Sequence, residues 1–70
     1  MNLLSAQIGQ EYTIRAVRTE DAAMDAFLFS LGCYSGEPIT VVWRRKHSCV
    51  VAIKDSRYSI DCQLAAAIWI

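Results

Sequence analysis

Between Thr19 and Gly32 the apolar residues of this 70-residue chain change their period, and that change bounds the fold more tightly than any other feature. Upstream, Tyr12, Ile14 and Ala16 alternate with Thr13 and Arg15, the pattern of a half-buried strand. Val17 breaks the alternation, as a bulge or the end of the strand would. Met24, Phe27, Leu28 and Leu31 then recur at i, i+3, i+4 and i+7, which is the core-facing stripe of an amphipathic helix. Thr19 is placed to cap the helix start, with Glu20 and Asp21 in a first turn that favours negative charge. Gly32 follows the last stripe residue, where a left-handed C-terminal cap falls.

The period of two returns after the turn residues Ser35, Gly36 and Pro38. Ile39, Val41 and Trp43 alternate with Thr40, Val42 and Arg44, giving a second strand. Arg45–Ser48 reads as a hairpin loop, and Cys49–Lys54 as a strand rich in β-branched residues. Asp55-Ser56 suits a tight turn because Asp tolerates left-handed backbone. Tyr58 and Ile60 mark a fourth strand, 61–66 a single helical turn, and Ile68 with Ile70 a closing strand. Leu3, Leu4 and Ile8 precede Gly9 in a short lead-in segment. The expected fold is mainly β: a small five-stranded barrel with one α-helix between its first and second strands. Residues 1–70 are expected to make one domain. Closure matters, since open strands this apolar invite edge-to-edge aggregation.

Composition narrows the function. Hydrophobic residues make up 54% of the chain, which excludes a disordered tail. Seven basic side chains balance seven acidic ones, so the chain lacks the surplus positive charge of a dedicated nucleic-acid binder. Cys33, Cys49 and Cys62 are odd in number and irregularly spaced, a poor disulfide framework with no secretory leader before it. No window approaches the ~20 apolar residues of a membrane span. These features point to a cytoplasmic protein with free thiols and no direct membrane insertion, and they leave homo-oligomerisation open.

No reactive constellation stands out. His47 and Cys49 would share a strand face, yet a loop histidine beside a core-packing cysteine accounts for them as well. The cysteine spacings do not match a structural zinc site, so no metal ligands and no cofactor are expected. Interaction surfaces are the better candidates. Phe29 lies at the edge of the helical stripe, and with Cys33 and Tyr34 it can form an exposed apolar patch. Arg44 and Arg45 begin a cationic run that can read acidic groups of a partner or anionic phospholipid. Trp69 should point opposite to Ile68 and Ile70, making it a second possible anchor. The competing readings are a helix residue covering the barrel rim for Phe29 and a solvated hairpin tip for the cationic run.

The run "EYTIRAV" after Gly9, the helix end "FLFSLGCYSGEPITV" and the close "LAAAIWI" resemble the FeoA family and the SH3-like domain it shares with iron-dependent transcriptional regulators. The resemblance rests on Leu28, Leu31, Gly32, Cys33, Gly36, Ile39 and Val41, with Ala65, Ile68 and Ile70 at the end. The loop between the middle strands is shorter and more cationic than the family's usual one, and Asp55-Ser56 stands where the family often has Gly. The resemblance implies an SH3-like barrel and a non-enzymatic accessory role in bacterial ferrous-iron uptake. The implied partner is FeoB, a membrane transporter with a GTP-binding domain. Alternatives are a regulatory domain working with an iron-dependent repressor, or a small oligonucleotide-binding barrel using Arg44, Arg45, Arg57 and Tyr58.

Overall fold

Asp21 starts the first helix: its carboxylate accepts from the N–H groups of Ala23 and Met24 at 2.9 and 3.3 Å. Thr19, expected at that position, lies two residues outside, its hydroxyl accepting from Asp21 N–H at 3.0 Å. A carboxylate meets both the orphan donors and the helix dipole, so it outcompetes the hydroxyl. In the computed structural model, which describes residues 1–70, helix α1 spans Ala22–Leu31. It ends as expected at Gly32, whose φ of 94° is left-handed. The N–H groups of Gly32 and Cys33 reach back to the carbonyls of Phe29 and Leu28.

The expected first strand is two strands. β1 (Glu11–Thr13) pairs with β3 (Pro38–Arg44), whereas β2 (Ala16–Val17) pairs with β6 (Ile68–Trp69). Alternation survives the break, with Ile14 fully buried, but the partner changes. Ile14 exchanges hydrogen bonds with Glu37 and Gly36, and Arg15 N–H already donates to Trp69. The remaining strands are β4 (Ser48–Ile53) and β5 (Ser56–Asp61). All pairings are antiparallel, giving a four-stranded sheet in the order β1-β3-β4-β5 and a two-stranded ribbon β2-β6.

The sequence led us to expect a closed five-stranded barrel; instead six strands form a four-stranded sheet and a two-stranded ribbon that do not join in one hydrogen-bonded ring. A second helix, α2 (Cys62–Ala67), runs from β5 to β6 and is longer than the single turn anticipated. Asp61 caps it, accepting from Leu64 N–H at 2.8 Å. α2 packs on β4, on β5 and on a 3-10 turn at Leu3–Ser5. Its Ala65 and Ala67 are buried, and small side chains let the helix backbone approach the sheet closely. α1 is not packed broadly against any one element. Of its expected stripe only Leu28 is fully buried; Met24 and Leu31 are half-covered, and Phe27 remains 48% exposed. The seal over the strands is therefore α2 with the 3-10 turn, rather than α1.

Fifteen buried residues, all apolar, form one core cluster, and none of the buried residues is polar or charged. β3 departs from expectation near its end. Its register against β4 shifts between Val41 and Trp43, a bulge that places an extra residue at Val42. Trp43 is consequently turned out, 58% exposed, and Arg44 turned in opposite the buried Cys49. The Arg44 guanidinium donates to the carbonyls of Ala6 and Leu3 at 2.8 and 3.3 Å, anchoring the 3-10 turn under the sheet. The β4–β5 turn also differs: Lys54, with φ 54°, takes the left-handed position anticipated at Asp55-Ser56, because Ile53 pairs directly with Ser56.

Candidate partner-binding site

Phe29 stands on the face of α1 away from Leu28 and is 65% exposed. The left-handed Gly32 turns the chain back immediately, so Tyr34 returns against the same helix. The two rings lie 5.1 Å apart between centroids, tilted by 37°, a favourable offset geometry. Together they form a ridge between two shallow grooves. One, of about 550 Å³, continues through Val17, Ala22, Ala26 and Cys33. The other runs along Ser30, Leu31 and Gly32 to Lys54 and Tyr58.

Cys33 does not join the exposed patch expected with Phe29 and Tyr34. It is 1% exposed and forms the floor of the first groove, where burial pushes its thiol up to about 11. A charged pair borders the ridge on the other side. Lys54 Nζ lies 5.3 Å from the centroid of the Tyr34 ring and 3.3 Å from Glu37 Oε1. Tyr34 and then Glu37 hold the lysine's pKa above its ordinary value. A Cβ at Gly32 would lie 2.9 Å from Lys54 Cε, so glycine here serves both the turn and the fit of that lysine.

The other expected site residues lie elsewhere. Arg44 is engaged with backbone carbonyls, while Arg45 is exposed on the hairpin tip, its N–H donating to Ser48 O at 2.8 Å. Trp69 is half-buried between the buried Ile68 and Ile70, as the alternation required, and the Arg18 guanidinium covers its ring at 4.9 Å. His47 is exposed, whereas Cys49 is buried and its thiol is raised by desolvation, only partly opposed by Arg44. A solvated imidazole and a buried, protonated thiol do not make a nucleophile–base pair. No three His, Cys, Asp or Glu side chains come together to hold a metal ion, and no helix is long and apolar enough to cross a membrane. Sequence reasoning missed Lys54, Glu37 and Trp43. Lys54 carries no local signal, since its role depends on where the end of β4 meets Gly32.

The architecture recurs in solved structures. A manganese-dependent transcriptional repressor superposes with a TM-score of 0.91 at 24% identity; all of this chain is matched, and it spans 40% of that protein. An iron uptake regulatory protein, FeoA, superposes at 0.87 with 17% identity, over 97% of this chain and 91% of its own. The zinc-complexed FeoA of Stenotrophomonas maltophilia, described as a prokaryotic SH3 domain protein, gives 0.87 at 19% identity, over 99% and 87%. At such identities the likeness establishes the fold, which is SH3-like. No curated protein matches the sequence significantly. The family model for the FeoA domain, however, matches residues 1–70 from end to end, and with the helix, the glycine turn and the closing strand all in place, the chain belongs to the FeoA domain family.

Proposed function

We propose that residues 1–70 act as one cytoplasmic, non-enzymatic accessory domain of bacterial ferrous-iron uptake. It docks on an FeoB-type membrane transporter through the Phe29–Tyr34 ridge and modulates the transporter's assembly or GTPase activity. Family membership supports the iron-transport role. The observation that carries the docking face is Phe29, a large aromatic left 65% exposed on a helix whose only fully buried side chain is Leu28. Such an aromatic, braced by Tyr34 and flanked by grooves, has the character of an interface anchor. Cys33 and Cys49 are buried and the lone histidine is solvated, in keeping with a non-enzymatic role.

Binding to purified transporter tests this directly. The Phe29→Ala/Tyr34→Ala double variant should keep its fold and lose most of its affinity; equal binding by both proteins would reject the ridge as the docking face. The superposition over the whole chain on part of a transcriptional repressor favours a second reading, a regulatory domain acting with a separate DNA-binding protein. Co-purification with a repressor instead of a transporter would support that alternative.

A further inference from the structure

Apart from Met1, which lies beside Ile70, the exposed large apolar residues fall into two separate sets. Phe27 and Phe29 belong to α1, whereas Leu4, Ile8 and Trp43 lie on segments tied to the end of β3. Gly9 N–H donates to Val41 O at 2.9 Å, placing Ile8 beside the β3 bulge. Arg44, turned to the inner face, holds the turn carrying Leu3 and Leu4 beneath the sheet, so Leu4 lies apart from the outward-facing Trp43. The end of β3 leads straight into Arg45, Lys46 and His47, all exposed. None of these cations is in an ion pair, since the chain's single salt bridge joins Lys54 to Glu37. The carboxylate nearest in register, Asp61 opposite Ser48, is turned into the cap of α2.

We infer that this end of the molecule, with Trp43 and Ile8 beside the Arg45–Lys46–His47 tip, is a docking surface for an anionic phospholipid bilayer. The chemistry fits each part. Tryptophan favours the headgroup level, aliphatic side chains enter the acyl boundary, and unpaired cations are drawn to anionic headgroups. A single-stranded nucleic acid could also use a tryptophan and arginines. It would gain nothing from Ile8, which offers no stacking face. The surface does not include the Phe29–Tyr34 ridge, so it stands or falls independently of transporter docking.

The chain has two tryptophans, so a Trp69→Phe variant leaves Trp43 as the sole indole emitter. With vesicles rich in phosphatidylglycerol its emission should shift to the blue and the protein should co-sediment; vesicles of phosphatidylcholine alone should produce neither. Arg45→Ser and Lys46→Ser should each weaken partitioning about fivefold, as expected for one cation near the membrane surface. Ile8→Ser should reduce the blue shift without changing the circular dichroism. Co-sedimentation of the unmodified protein provides the same reading should Trp69→Phe not fold. The inference is overturned by absence of binding, by equal binding to both vesicle types, or by Arg45 and Lys46 variants that lose oligonucleotide binding while vesicle binding is unchanged.

Discussion

The two helices are both apolar, yet they do opposite things. α2 has six residues and buries Ala65 and Ala67 before delivering Ile68 to the core. α1 has ten residues and buries only Leu28 completely, leaving Phe27 and Phe29 to solvent. Side-chain size accounts for the difference. Alanines let α2 settle against the sheet and the 3-10 turn, whereas the aromatics of α1 stay outside the core, Phe29 stacked on Tyr34 and Phe27 bordering a shallow groove with Gln63 and Leu64 of α2. In a chain this short every apolar residue left outside weakens a thin core, and the exposed face of α1 is the surface on which the proposed docking rests.

That contrast can be broken at its anchor points. Leu28→Ala should have the largest effect, about 2–5 kcal/mol of lost stability, because it deletes the one α1 side chain fully inside the core; a urea titration measures it. On the other helix, Ala65→Leu should cost about 1–3 kcal/mol by overpacking. The same titration reads it, and an effect below that of Met24→Leu on α1 would mean α2 is not the tight seal described.

Raising the pH probes the floor beneath α1. Cys33 in the folded chain has a pKa raised from 9.0 to about 11, so between those values the native state holds a proton that the unfolded chain releases. Stability is full below pH 9 and falls as pH rises toward 11, by about 1–2 kcal/mol. Cys49 and Lys54, also raised, act in the same direction. Urea midpoints across this range should drop, and Cys33→Ala should flatten the slope. The smallest effect belongs to the ridge: Phe29→Ala should change stability by no more than about 0.5 kcal/mol, as for a surface substitution. A larger loss would make Phe29 a core residue and return α1 to the role of lid.

Much of this was legible in the chain. Gly32 announced itself because the apolar stripe stops there and a left-handed residue must follow. Ile68 and Ile70 flanking Trp69 were readable from simple alternation. Phe27 was misplaced because helical periodicity says which residues share a side, but not how far the neighbouring surface extends to meet them. The outward turn of Trp43 was not legible because the register shift at Val42 has no local signal in the run from Ile39 to Trp43. The bulge at Val42 is a tertiary event, coincident with Arg44 turning inward to the Leu3 and Ala6 carbonyls. For the candidate site, Phe29 and Tyr34 were visible as a helix edge next to a turn. Lys54 and Glu37 were not, because two loops distant in sequence bring them together.

Amide hydrogen exchange, on the chain alone and bound to an FeoB-type transporter, tests the division between the helices most directly. The account predicts that the amides of α1 exchange well before those of α2 and the β3–β4–β5 meander in the free protein, and that α1 and the turn at Cys33–Ser35 become protected in the complex. Equal protection of both helices in the free protein, or complex formation that leaves α1 unchanged, would contradict it.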